Sequence, residues 1–203
     1  MKRIASIIIL RLAVATMASA QTPAAVLDQA VAALRGAGMV TATYKLTSSQ
    51  GNSAGTIVLS GDKFRLISPD MKTWFDGTTQ WTFSTATGEV NITTPTASDL
   101  QMLNPYAAVQ GFKKNCNMWK AAGQIPGCYA IMLRPKTKSD ISQMWLYVSS
   151  STHMLQNAHF KMTNGQTFTI SLSGYKTHQS LPASTFTFDA SMVPPGTEVV
   201  DLR

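Results

Sequence analysis

The sequence predicts a mainly β protein with helices, built on one meandering antiparallel sheet. Short segments rich in β-branched and aromatic residues follow one another along the chain, and turn residues separate them. An amphipathic helical segment precedes these strands, and a second helical stretch interrupts them. A series of this kind closes into a barrel or forms a strongly curved half-barrel.

Residues 1–20 have the pattern of a secretory signal peptide. Lys2 and Arg3 precede an apolar run at 4–17, which Arg11 interrupts, and Ala18-Ser19-Ala20 forms a small-x-small cleavage site. The run is shorter than the roughly 20 apolar residues that a membrane-spanning helix needs. We therefore expect cleavage after Ala20 and export to the periplasm. The alternative is a cytosolic protein with an apolar amphipathic N-terminus.

Residues 21–203 are expected to form a single domain without a lipid anchor. Gln21 occupies the position after the cleavage site, where a bacterial lipoprotein carries a cysteine. Without the signal, 14 basic and 10 acidic residues remain, and Lys113-Lys114 is the one adjacent basic pair. So mild a charge argues against a nucleic-acid partner, which favours clustered basic patches.

The first element is predicted to be a helix that begins at Pro23 and ends just before Gly36. Thr22 is a suitable cap, Pro23 suits the first helical position, and Gly36 suits the residue just past the end. Apolar residues recur at spacings of three and four and give the helix one apolar face: Val26, Leu27, Ala30, Val31 and Leu34.

Strands are predicted over most of the remaining chain. The segments are 41–47, 55–60, 63–67, 73–75, 80–84 and 89–93, then 128–133, 143–148, 155–162, 166–173, 186–188 and 197–200. Asp76-Gly77 is the strongest hairpin signal among the turns. Between the two groups, Thr96 and Asp99 have capping-box spacing, and Asn104-Pro105 opens a second short helix. We expect these helical turns to cover a face or an open end of the sheet.

Cys116 and Cys128 are predicted to form a disulfide, which is the default for two cysteines in an oxidising compartment. A bridge over so short a loop would contribute about 3 kcal/mol. No further cysteine or histidine stands at ligand spacing, so we expect no metal.

The sequence contains no recognisable catalytic motif. His153, His159 and His178 stand apart from one another, and no nucleophile elbow, phosphate loop or dinucleotide fingerprint is present. The carboxylates fall mostly in turns, where capping explains them. We therefore expect a binding protein with neither catalytic residues nor a cofactor. An envelope hydrolase with dispersed carboxylates is the open alternative.

Nine methionines remain after the signal, and several lie in predicted strands. Methionine is flexible and polarizable, and it suits surfaces that accept varied apolar shapes. A set of them on a curved sheet favours an apolar ligand cavity, whereas gap-filling in an ordinary core is the alternative reading.

Several local strings occur along the chain in a fixed order. They are Gly55-Thr56-Ile57, Lys63-Phe64-Arg65, the aromatic hairpin Trp74-Phe75-Asp76-Gly77-Thr78-Thr79-Gln80-Trp81, and the tail Thr185-Phe186-Thr187-Phe188 with Pro194-Pro195-Gly196-Thr197-Glu198-Val199. In these strings and in the order of its elements, the chain resembles the LolA-like periplasmic lipoprotein carriers over nearly the whole mature length.

This resemblance implies a curved, unclosed antiparallel half-barrel (LolA/LolB-like) with a helical lid over an apolar concave face. It also implies a monomer that receives acylated lipoproteins from an ABC-type transporter of the inner membrane and delivers them to an outer-membrane acceptor. A lipid-sensing or regulatory envelope protein on the same fold, which binds a protein partner, is the alternative.

Fifteen residues are the candidates for this site. Arg65 is the candidate for contact with the lid, because the family's Arg-Pro pair is missing from the stretch between Leu59 and Phe64. The residues expected to line the apolar cavity are Ile57, Leu59, Phe64, Leu66, Trp74, Trp81, Phe83, Leu100, Leu103, Met132, Met144, Leu146, Phe160 and Met162.

Overall fold

A computed structural model describes residues 21–97, 99–100, 105–122 and 125–203, so the expected signal peptide lies outside it. Helix α1 spans Pro23–Gly36, so it begins as predicted and ends one residue later, and the hydroxyl of Thr22 accepts a hydrogen bond from Ala25 N at 3.2 Å. Helix α2 spans Pro105–Asn115. Within these described ranges, no helix is both long enough and apolar enough to cross a membrane.

Twelve strands form one sheet in the described part of the chain. They are β1 (Val40–Ser48), β2 (Gly51–Ser60), β3 (Lys63–Ile67), β4 (Met71–Phe75), β5 (Gln80–Ser84), β6 (Glu89–Thr93), β7 (Cys116–Lys120), β8 (Cys128–Pro135), β9 (Ile141–Ser149), β10 (Leu155–Met162), β11 (Thr167–Lys176) and β12 (Glu198–Asp201).

The sheet is a curved half-barrel that does not close, as the sequence predicts. Its spatial order is β12-β6-β5-β4-β3-β2-β1-β11-β10-β9-β8-β7, so β12 and β7 are the two edges. Neighbouring strands are antiparallel, except that β12 runs parallel to β6. The Asp76-Gly77 turn joins β4 to β5, and the Asp76 carboxylate accepts hydrogen bonds from Thr78 N and Thr79 N, both at 2.8 Å.

Two strand predictions differ from the structure. The segment 186–188 was predicted to be a strand, but Ala183–Phe186 forms a 3-10 turn, because this part of the chain packs across strands instead of pairing with one. Strand β7 was not predicted, since Cys116–Lys120 directly continues α2 without a turn signal between them. Pairing with β8 makes it a strand.

The two faces of the sheet have different coverings. We call the inner face the one that packs against α1 and α2, and the outer face the opposite one. Along β2, for example, Ile57 and Leu59 are buried on the inner face with Leu34 of α1, while Val58 points to the outer face. We call residues 183–193, between β11 and β12, the C-terminal segment. This segment covers the outer face over β3 to β6, where its Phe188, Met192 and Val193 pack with Trp74 and Phe83.

Gly55 lies on the inner face of β2, where the chain leaves no room for a side chain. A Cβ there would stand 2.0 Å from Ile67 O and 2.9 Å from Cε1 of Tyr44. Glycine is therefore required by close packing of the backbone, since no larger residue fits without displacing β3 or the tyrosine ring.

The predicted disulfide is wrong, because Cys116 and Cys128 are both free thiols. Cys116 begins β7 opposite Pro135, whereas Cys128 begins β8 at the other end of the same hairpin. Seven residues of extended strand separate Cys128 from Pro135, a length of roughly 23 Å. A disulfide needs Cα atoms within about 7 Å of each other.

Candidate ligand cavity

Two adjoining apolar cavities lie between the inner face of the sheet and the two helices. Their volumes are about 90 Å³ and about 360 Å³. The larger one reaches the lower end of the usual range for ligand pockets, roughly 300 to 1,000 Å³. Six residues line both cavities and so form the wall between them: Ile57, Ala108, Phe112, Leu146, Leu155 and Leu172.

The helices contribute to these walls through their apolar faces. Leu27, Ala30, Val31 and Leu34 of α1 line the smaller cavity, and they belong to the apolar face that the spacing predicts. Ala108 and Phe112 of α2 are four residues apart and therefore lie on one side of that helix. Lys113 Nζ bonds Asp28 Oδ1 at 2.5 Å, which ties α2 to α1 at the surface.

The phenol of Tyr175 is the polar group that β11 places in the wall of the smaller cavity. Its hydroxyl donates a hydrogen bond to the carbonyl oxygen of Leu155 on the neighbouring strand β10. Burial raises the pKa of Tyr175 above its usual value, because the phenolate would lose its hydration. The hydroxyl is thus used within the protein, and the cavity wall stays apolar towards a ligand.

The larger cavity has a polar end. Its lining includes Ser53, Ser68 and Asp70 beside Met71, at the turn between β3 and β4. Ser68 is held there because its hydroxyl donates to Met71 O and accepts from Met71 N, each at 3.1 Å. The cavity therefore combines an apolar body with a polar margin that includes a carboxylate.

The structure brings part of the predicted set together. Ile57, Leu59, Leu66, Leu146 and Phe160 line the cavities. Phe64 and Met144 are buried in the inner-face core without lining a cavity, and Leu100 packs against that core. Leu103 lies outside the described residues.

The predicted cavity residues Trp74, Trp81 and Phe83 lie on the outer face of the sheet, away from the cavities. Trp74 pairs with Trp81 across β4 and β5, and both pack on the outer face with Phe83 under the C-terminal segment. Their neighbours Thr73 and Phe75 point inwards instead. Successive side chains of a strand point to opposite faces, so a shift of one residue in the predicted alternation reverses the face of every side chain in β4 and β5.

Three further predicted residues are placed elsewhere. Met132 pairs with Trp145 on the outer face, between the buried Ile131 and Leu133 of the inner face. Met162 is half-buried at the end of β10 and lines neither cavity. Arg65 lies on the outer face, opposite Trp74, and residues 101–104 of the expected lid lie outside the described residues, so the lid contact stays a prediction. Burial lowers the pKa of the Arg65 guanidinium, because its charged form is desolvated.

The sequence reasoning missed the helical half of the wall. The apolar face of α1 was recognised but not assigned to the site, and Ala108, Phe112, Leu172 and Tyr175 were not selected. The signal for the helices was available, because an amphipathic helix must bury its apolar face against something. The choice between Leu172 and its strand neighbours required the register of β11.

Comparison with known proteins places this fold in a family. The sequence pattern of the outer membrane lipoprotein carrier protein LolA matches residues 14–166. No characterised protein matches the chain in sequence at a significant level.

One solved structure shows the same fold at low sequence identity, and two more are similar at lower TM-scores. An uncharacterized conserved protein from Thermus thermophilus has a TM-score of 0.61 at 12% identity, over 87% of this chain and 96% of that one. A LolA superfamily protein from Nitrosomonas europaea has a TM-score of 0.44 at 13% identity, over 83% and 99%. The MucA/MucB complex of Pseudomonas aeruginosa gives 0.47 at 11%, over 81% and 61%. By the match over residues 14–166, the chain belongs to the family of the outer membrane lipoprotein carrier protein LolA.

Proposed function

We propose that the protein binds the acyl chains of lipoproteins in the cavity between its helices and the inner face of its sheet. The observation that carries this proposal is the apolar wall of the 360 Å³ cavity, to which α2 and strands from both halves of the sheet contribute. An acyl chain gains about 0.8 kcal/mol per buried CH₂ group. Binding therefore needs an apolar space of sufficient length and no catalytic group.

The polar end of the cavity supports one orientation of the cargo. The Asp70 carboxylate lies beside the apolar wall and accepts hydrogen bonds, whereas the Ser68 hydroxyl is already bonded to Met71. Polar groups taken out of water need hydrogen-bonding partners, so the amide N–H of an acylated N-terminus fits this end better than the methyl end of a chain. The acyl chain then extends along Leu66 and Ile170 towards Phe112.

We further propose that the protein works in the periplasm as a monomer between two membranes. The expected signal peptide at residues 1–20 would direct its export. A membrane offers an acyl chain the same gain in free energy as the cavity, so transfer needs a donor that supplies work. An ABC-type transporter of the inner membrane would be this donor, and an outer-membrane component would accept the cargo.

Replacing Ala108 by phenylalanine tests the cavity. Ala108 is half-buried on α2 and lines both cavities, so a larger side chain there occupies the space of the ligand. We expect the affinity for a fluorescent long-chain fatty acid to fall at least about tenfold, since a filled cavity excludes several methylene groups worth about 0.8 kcal/mol each. Fluorescence titration measures the effect.

The matched control is Ala32→Phe on the exposed side of α1, which should leave the affinity unchanged. Native mass spectrometry of the protein purified from the bacterial envelope provides the second readout. Acylated lipoprotein bound to the wild type and lost from Ala108→Phe supports carriage. A wild type that binds neither the fatty acid nor any acylated protein would refute the proposal and favour the regulatory alternative.

A further inference from the structure

The charges of the chain are segregated along the sequence. Residues 100–139 contain six basic residues and no acidic residue. This segment comprises α2, β7, β8 and their connections. All ten acidic residues lie in the segments that precede and follow it. A soluble surface normally intersperses both signs, and a large field of one sign attracts a partner of the opposite sign.

The fold gathers these basic residues at one edge of the sheet. We call the basic edge the exposed residues Lys114, Lys120, Arg134, Lys136 and Lys138. Lys136 Nζ donates to Lys114 O at 2.9 Å, and Arg134 pairs with Asn117 of β7. Their nearest acidic neighbours in the chain are Asp99 and Asp140.

A tryptophan stands on the same edge. Trp119 of β7 is 43% exposed, which is unusual for so large an apolar ring. It pairs with Met132 on the outer face, next to the Asn117–Arg134 pair. Exposed tryptophan beside lysine and arginine is the composition that proteins show at the boundary between lipid and water.

The opposite edge carries the opposite charge. Glu198 and Asp201 lie on β12, and Glu89 lies on the adjacent β6. The one basic residue that β12 adjoins, Arg203, bonds Asp201 Oδ2 at 2.6 Å. Ten strands lie between the two edges in the order of the sheet, so the two signs of charge are placed on different edges.

The basic edge also adjoins the cavity. Helix α2 carries Ala108 and Phe112 into the cavity wall and ends at Asn115, directly before β7. Lys114 is therefore two residues from a wall residue of the cavity. A surface that meets the basic edge would lie beside the helix that covers the ligand.

We propose that the basic edge docks the protein on a membrane surface that contains anionic phospholipid, with Trp119 inserted at the level of the headgroups. The negative surface potential attracts the lysines and arginine, and it repels the acidic edge at β12. Docking thus holds α2 against the bilayer. That this position serves the transfer of cargo rests on the proposed function, whereas docking itself does not.

Two triple variants with the same loss of charge test the docking. The first is Lys114→Gln, Lys120→Gln, Lys138→Gln at the basic edge. The control is Lys45→Gln, Lys63→Gln, Lys176→Gln, three exposed lysines on other strands. Sedimentation with vesicles of phosphatidylcholine, with and without phosphatidylglycerol, measures the partition of each protein into the membrane fraction.

We expect the wild type to bind only the vesicles that contain phosphatidylglycerol, and added salt to weaken this binding. The edge variant should lose about 100-fold in partition coefficient, because each lysine near an anionic surface contributes roughly fivefold. The control should lose far less. Trp119→Ala should also weaken binding, without altering its salt dependence.

Equal losses in the two triple variants would overturn the proposal, because they would show that only net charge matters. Binding to pure phosphatidylcholine, or to neither vesicle, would overturn it as well. The fatty-acid titration in the absence of vesicles separates this result from the cavity. An edge variant that binds fatty acid normally but no longer binds vesicles supports docking. A wild type that binds vesicles but not fatty acid would refute the proposed carriage of lipoproteins and leave the docking proposal intact.

Discussion

Tyr175 shows how a single residue can leave an apolar wall intact while contributing a polar group to the core. Its phenol ring lines the smaller cavity, and its hydroxyl is bonded to the carbonyl oxygen of Leu155. The bond joins β11 to the beginning of β10. Because the hydroxyl is buried and bonded as a donor, the neutral phenol is favoured in the folded state, and its pKa is raised.

Tyr175→Phe is expected to lower the free energy of unfolding by about 1 kcal/mol at neutral pH, which is typical of one lost hydrogen bond. A raised folded pKa contributes stability that is fully present below the unfolded pKa, about 10. This contribution is lost as the pH rises above that value, since only the unfolded state then releases its proton. The wild type should therefore lose stability faster than the variant above pH 10. Urea titrations across this range measure the difference, and a constant difference would contradict the assignment.

The C-terminal segment illustrates the element scale, because it determines which strand residues are buried on the outer face. The ring centroids of Phe188 and Trp74 are 5.5 Å apart, and the two rings meet edge to face. Lys72 Nζ donates to Met192 O at 2.9 Å and approaches the ring of Phe83. The segment thus provides a cover for the aromatic residues of β4 and β5, which would otherwise face water.

Phe188→Ala is expected to destabilise the protein by about 2 kcal/mol, less than the roughly 3–5 kcal/mol of a fully buried phenylalanine, because Phe188 is only half-buried. Trp74 should become more exposed, and the tryptophan emission should shift to longer wavelength. The control Leu181→Ala removes a side chain that is 37% exposed and should change little. Loss of fatty-acid affinity in folded Phe188→Ala would contradict the separation of the two faces.

The sheet gives the whole molecule two faces with separate roles. One continuous set of strands carries the cavity on its inner face and the C-terminal segment on its outer face. Its two edges carry opposite charges. Strand β1 pairs with β2 on one side and with β11 on the other, so it joins the β2–β6 half of the sheet to the β8–β11 half. Without β1, each half would have one more strand with unpaired backbone groups.

We therefore expect the described part of the chain to unfold in a single cooperative transition. In a variant with Trp119→Phe and Trp145→Phe, tryptophan fluorescence reports on Trp74 and Trp81 of the β2–β6 half, whereas far-UV circular dichroism reports on the strands of both halves. The urea midpoints obtained with these two probes should coincide. Separate midpoints would show that the halves are independent units.

Local chemistry was sufficient to predict several elements. The start of α1 follows from Thr22 and Pro23, its end lies within one residue of the position that Gly36 indicates, and the turn between β4 and β5 follows from Asp76-Gly77. The reciprocal bonds between Thr96 and Asp99 also follow from their spacing. Each of these features is determined by residues close to one another in the chain, so no distant contact is needed to form it.

The sequence by itself determined the helix, most of the strands and the apolar character of the strand residues, and it pointed to an open, helix-covered sheet through the family's strings. Only the tertiary structure decided which apolar residue faces the cavity. Trp74 and Phe75 are adjacent and equally buried, so alternation alone cannot distinguish the inner from the outer one. The C-terminal segment, more than a hundred residues away in the chain, buries Trp74 on the outer face. The separation of Cys116 from Cys128 has the same cause, because the register of one strand pair sets every distance across it.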